Sequence, residues 1–162
     1  MIERERKFLV VATKLPSFVT GALAMDDQEV CRQMRTGYFT RDGIAIRASV
    51  GNVGRHNPKS RICFKGPGLE SREEFEYEIP LDDAIRLVEL APYKINKSRI
   101  EFEGREIDSF EGGGILAEWE YHDGKGDPVL PVWLGKEVTN DPDYTNQQIA
   151  VRGFKTCDTP SF

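Results

Sequence analysis

Histidine is almost missing from this chain of 162 residues, with His56 and His122 its only two. Glycine-rich phosphate loops are missing altogether. These two absences disfavour histidine relays, zinc centres and mononucleotide cradles. Cysteine is scarce as well: Cys31, Cys63 and Cys157 are isolated, odd in number and without metal-ligand spacing. They read as reduced thiols of a cytoplasmic protein. No apolar run is long enough to span a bilayer, and the charged first residues do not resemble a signal peptide, so no membrane is expected. Repeats and low-complexity tracts are absent too, and residues 1–162 are expected to form a single domain. The net charge of −5 argues against nucleic acid as a partner. Any metal here would be held by oxygen, which favours Mg²⁺, Mn²⁺ or Ca²⁺.

Charge is what the chain has in quantity, and its placement is periodic. The opening stretch "ERERKFLV" puts Glu3, Glu5 and Lys7 at alternate positions of a β-prone segment. Residues two apart in a strand share a face. Two carboxylates so placed repel by roughly 4 kcal/mol at 4 Å for an effective dielectric of about 20. Either water screens them or a cation lies between them.

Turn signals such as "TRDG", "GPGL" and "EGGG" divide the chain into strands near 2–11, 30–39, 44–50, 61–65, 73–79, 94–103, 105–110 and 115–121. Helices are expected over 17–24, over "LDDAIRLVEL" and near 146–151, with a loop-rich stretch after Tyr121. The strand faces repeat the pattern of the first. Arg72, Glu74, Glu76 and Glu78 share one face, opposite Phe75, Tyr77 and Ile79. Glu118 and Glu120 oppose Ala117, Trp119 and Tyr121; Lys97 and Arg99 stand with Glu101; Arg61 stands with Lys65; Glu106 and Asp108 oppose Ile107. Each strand alone reads as half-buried with its polar face in water. Together the polar faces are mostly charged, with acids and bases interleaved. An α+β fold built on an eight-stranded antiparallel β-barrel resolves this by turning the charged faces into a wet lumen, with helices covering the apolar exterior. A polyphosphate with Mg²⁺ would match such a lumen.

These motifs resemble the CYTH superfamily, the triphosphate tunnel metalloenzymes, over nearly the whole chain. The family's ExExK signature stands as Glu3, Glu5 and Lys7, its lysine-glycine strand end as "CFKG", and its basic-then-acidic strand as "REEFEYEIP". Further on come Lys97 and Arg99, then Asp108, Phe110 and Gly112, then "AEWE". The tail is Trp133, Gly135, Glu137, Val138, Thr139, Asp141, Tyr144 and Asn146. The chain is most similar to the short bacterial branch that includes inorganic triphosphatases.

The resemblance implies an antiparallel tunnel, open at both ends, that hydrolyses a triphosphate with Mg²⁺ or Mn²⁺. Inorganic tripolyphosphate is the leading substrate; ATP and thiamine triphosphate are alternatives. Glu3, Glu5, Glu118 and Glu120 would hold metal, and Lys7, Arg47, Lys65, Arg72, Lys97 and Arg99 would grip phosphate. Glu76 and Asp108 would hold a second metal or orient the bases. Glu3, Glu5, Lys7, Glu76 and Glu120 are the residues expected to carry catalysis, by metal-assisted attack of water without a covalent intermediate. A cyclase making cyclic AMP and a weak polyphosphate- or nucleotide-binding module are the competing functions. A monomer or homodimer is expected.

One position departs from the family pattern. Ala45 stands where the first arginine of an Arg-x-Arg strand is expected. If Arg47 faces Cys63 across the hairpin, then Ala45 faces Lys65 and Ser49 faces Arg61. Arg61 would be an extra base two same-face pairs away, about 13 Å along the strand, and its long side chain is expected to compensate by reaching back. The loop from Gly51 to Ser60 is longer than the short family members lead one to expect. Trp119 and Trp133 read as packing residues, and His56 as a surface residue of that loop.

Overall fold

The computed structural model describes residues 2–25, 30–52, 58–121 and 129–155, with the backbone alone described for residues 2 and 3. His56, His122, Cys157, residues 53–57 of the long loop and the side chain of Glu3 therefore lie outside the described residues.

The strands are β1 (Ile2–Val10), β2 (Arg32–Tyr38), β3 (Ala45–Gly51), β4 (Lys59–Lys65), β5 (Ser71–Glu78), β6 (Tyr93–Phe102), β7 (Arg105–Phe110), β8 (Ile115–Glu120) and β9 (Leu134–Glu137). Between them run helices α1 (Ser17–Met25), α2 (Leu81–Leu90) and α3 (Asn146–Arg152). The strands follow the order β5-β4-β3-β2-β6-β7-β8-β1, and a β1–β5 pairing closes them into an eight-stranded antiparallel barrel. Each expected strand is present within a few residues of its expected bounds. The tightest connection, Glu103–Gly104, has both φ values positive, 50° and 71°, which suits the right-handed twist of β6 and β7.

β9 was not expected. Its four residues "LGKE" carry a glycine and no alternation, so they read as loop. The barrel explains the strand. One edge of β1 pairs with β8 along Glu5–Leu9, while β5 covers only Ile2–Arg4 on the other edge. β9 pairs with Phe8 and Val10 on that second edge and satisfies backbone groups that β5 leaves uncovered.

Helices cover the exterior, as the apolar faces required. Leu15, Val19, Ala22 and Leu23, on α1 and just before it, pack with Ile100, Ile107, Ala117 and Trp133. On α2, Ala84 and Val88 pack on Ala48 and Val50. That contact depends on Gly37: a Cβ there would sit 2.5 Å from Ala91 Cβ and 3.0 Å from Val88 Cα. The third cluster lies in the interior. Tyr38, Ile95, Phe110 and Leu116, all on inward faces by register, pack with Val138, Tyr144 and Ile149. The tail segment and α3 therefore pack on an apolar part of the interior, beside its charged part. Among the described residues, no helix is long and apolar enough to cross a membrane.

Candidate functional site

Alternation and register together decide which side chains meet inside the barrel. Lys7 lies opposite Glu118, Arg99 opposite Asp108, Lys65 opposite Glu74, and Arg47 between Tyr38 and Cys63. Burial in a common space turns these neighbours into ion pairs. Lys7 Nζ lies 2.7 Å from both Glu5 Oε1 and Glu118 Oε1. Arg72 Nη2 reaches Glu5 at 3.1 Å, and Lys65 Nζ reaches Glu74 at 3.1 Å. Arg99 forks onto Asp108 with two bonds of 2.6 Å and extends to Glu118 at 3.0 Å, while also meeting Glu106. Lys97 pairs with the other side of Asp108. Asn146, the first residue of α3, donates to Glu118 Oε1 at 3.3 Å and accepts from Lys97 at 3.5 Å.

Burial alone would raise the pKa of Glu118, but Lys7, Lys97 and Arg99 outweigh it and hold the carboxyl well below its ordinary value. Asp108 shows the same balance: burial is overcome by Lys97 and Arg99, and its pKa is lowered. Burial also works against the Lys7 ammonium, yet Glu118 and Glu5 keep its pKa raised. Glu106, flanked by Arg99 but also by acids, is pushed up chiefly by burial.

Arg47 differs from this set. Among the described residues, its nearest carboxylate oxygens lie at 3.5 Å on Glu76 and 3.7 Å on Glu74, and its buried Nε has no hydrogen-bond partner. It also lines three of the cavities that the described residues form. The first, about 620 Å³, has Arg32, Lys59, Arg61 and Glu120 on its walls. The second, about 310 Å³, opens beside Ala45, Lys65, Arg72 and Gln148. The third, about 360 Å³, is walled by Glu5, Glu118, Glu120 and Arg99. Arg47 is where they meet.

The donor set suits a hard divalent cation, because Glu5, Glu118 and Glu120 line one cavity with carboxylate oxygens. Among the described residues, the tight group of three donors is a different one: Cys63, Glu74 and Glu76 each place an atom within 4.8 Å of the others. Glu5, Glu118 and Asp108 are instead each drawn onto a cation. Cys63 was not among the expected site residues because a lone cysteine carries no metal-ligand spacing, although alternation with Arg61 and Lys65 sets it on the charged face. Closure of the barrel is what turns that face inward.

Similarity to known proteins agrees with this geometry. The chain is 34% identical over 165 residues to an inorganic triphosphatase of Acetivibrio thermocellus, covering 94% of this chain and 96% of that one. This chain belongs to the inorganic triphosphatase family. No protein-family model matches it. Two crystal structures of NE1496, described as a hypothetical protein in one and as an inorganic triphosphatase in the other, are 26% identical. Their TM-scores are 0.58 and 0.57 over 92% of this chain, with 97% and 94% of the other chains covered. The CYTH resemblance read from ExExK and the later motifs thus agrees with both the relative and the fold.

Within this triphosphatase scaffold the departure at Ala45 can be located. The hairpin register is the expected one, with Ala45 opposite Lys65 and Ser49 opposite Arg61. Ala45 lines the second cavity, while Arg61 lines the first and pairs with Glu76. The two positions thus line different cavities, which Arg47 joins. Of the two tryptophans, Trp133 is buried in the α1 cluster and Trp119 stacks on Tyr121 at 5.3 Å, both packing roles.

Proposed function

We propose that the protein hydrolyses inorganic tripolyphosphate to phosphate and pyrophosphate with Mg²⁺ or Mn²⁺. The observation that carries this reading is Arg47, a half-buried cation whose buried Nε–H is unmet among the described residues, where three charged cavities join. A flexible polyanion threaded through that junction would meet Arg47, Lys65 and Arg72 in succession. The inorganic triphosphatase relative supports the same substrate.

Arg47, Lys65 and Arg72 bind phosphate oxygens and take up charge as a bridging oxygen leaves. Lys7, Lys97 and Arg99 hold the carboxylates in place. Glu5, Glu118 and Glu120 would hold the metal, joined by Glu3 of β1 on the strength of its alternation with Glu5, and Glu74 and Glu76 offer a second acidic group. A bound divalent ion would neutralise phosphate charge and acidify a water. In-line attack of water on the terminal phosphorus would form one P–O bond as the bridging P–O bond breaks, giving phosphate and pyrophosphate, with the water's proton passing to the products or solvent. The barrel supplies electrostatic positioning, and no side-chain nucleophile is needed. The enzyme works in the cytoplasm, consistent with Cys31 and Cys63 as free thiols.

Phosphate release from tripolyphosphate, ATP and thiamine triphosphate, with Mg²⁺ and then Mn²⁺, tests the assignment. Tripolyphosphate should turn over fastest and only with added metal. Full activity after exhaustive chelation overturns the metal dependence. Cyclic AMP from ATP, or no phosphate from any substrate, overturns the hydrolase.

A further inference from the structure

Arg47 is held in an unusual way for a cation so deeply placed. Lys7, Lys65, Arg72 and Arg99 each have a carboxylate oxygen within 3.1 Å. Arg47 has Glu76 at 3.5 Å and Glu74 at 3.7 Å, and its close partners are neutral. They are its register neighbours, Tyr38 on β2 and Cys63 on β4, whose hydroxyl and thiol share the inward face with it. Both are almost wholly buried, at 3% and 1% exposure.

Cys63 has a second bond. Its Sγ–H donates to Glu74 Oε1 at 3.1 Å. Glu74 is therefore satisfied by Lys65 and the thiol, and a full ion pair with Arg47 is not needed. Burial, opposed by Arg47 and assisted by Glu74, pushes the Cys63 thiol up to about 11, so it keeps the proton that it donates.

We propose that Tyr38 and Cys63 are positioning residues that keep Arg47 off the lumen carboxylates and available to the triphosphate. This rests on the triphosphatase reading. Two neutral partners fix the guanidinium without consuming its charge. A charged partner at the same distance would compete with substrate for every turnover. The arrangement has added weight in this chain, because Ala45 leaves Arg47 as the one arginine of β3.

Removing the thiol should let Glu74 draw Arg47 into a close pair. Cys63→Ala should then raise KM for tripolyphosphate about tenfold, with a much smaller change in kcat. Cys63→Ser keeps a donor for Glu74 and an acceptor for Arg47, and should restore KM to within about threefold of wild type. Tyr38→Phe should also raise KM. In an Arg47→Lys background, adding Cys63→Ala should cost less than twofold, because the geometry it protects is already gone. Calorimetric titration with tripolyphosphate and Ca²⁺ should show the same order of affinities without turnover. Thermal midpoints separate a folding defect from a positioning one, since a packing loss would not be rescued through KM by serine. Wild-type hydrolysis with unchanged KM in both Cys63→Ala and Tyr38→Phe overturns this inference and spares the function. A full tenfold effect of Cys63→Ala in the Arg47→Lys background also overturns it. A wild-type protein that neither binds nor cleaves tripolyphosphate overturns the function itself.

Discussion

Lys7 and Glu118 face each other across β1 and β8, Nζ 2.7 Å from Oε1, and both side chains are less than a tenth exposed. Glu5 shares the same ammonium from its own strand. The opening glutamate–lysine pattern is therefore one half of a buried charge network whose other half lies more than a hundred residues away. Carboxylates held this way serve two ends, because they support the fold and line the cavity.

That dual role separates two conservative substitutions. Glu5→Gln removes a charge from Lys7 and Arg72 and should cost about 3 kcal/mol of stability as well as activity. Glu120→Gln, at an exposed rim position, should abolish most turnover while shifting the thermal midpoint by no more than a degree or so. Phosphate release and thermal denaturation measured on both variants check this. Full activity in both would remove the metal assignment of these carboxylates.

Acid sensitivity follows from Asp108, which is wholly buried, and from Glu118. Both have pKa values lowered in the folded protein, so each contributes stability that is present above its unfolded value and lost as pH falls through its folded one. The thermal midpoint should decline below about pH 4, the ordinary carboxylate range. Asp108→Asn leaves Lys97 and Arg99 without their shared partner and should cost about 3–5 kcal/mol at neutral pH. It should also flatten the acid limb of a midpoint-against-pH curve. An unchanged limb would assign acid unfolding to other groups.

Ala45→Arg and Arg61→Ala test whether one base replaces another. Because the two positions line different cavities, their effects on KM for tripolyphosphate should multiply, with coupling no larger than about twofold. Rescue of Arg61→Ala by Ala45→Arg would show that they serve one subsite.

Gly37→Ala probes the seat of α2. The added methyl meets Ala91 Cβ at 2.5 Å, so the helix must shift off β2. A loss of about 1–3 kcal/mol is expected by denaturant unfolding, with KM little changed because the helix lies outside the barrel.

Much of this protein is local in origin. A period of two is a property of each strand alone, so the charged faces of "ERERK", "REEFEYE" and "AEWE" were legible without any tertiary contact. The apolar stripe of α2 and the turn residues were legible for the same reason, and together they implied a barrel with charge inside. Pairing is not local. Which carboxylate holds Lys7, why Asp108 is shared by Lys97 and Arg99, and why Arg47 faces a thiol and a phenol depend on register across a closed circle of strands. The four residues of β9 become a strand only because closure leaves one edge of β1 half covered. Arg61 shows the same limit. Alternation puts it on the charged face, and only the closed barrel places it on the wall of one cavity and Ala45 on the wall of another.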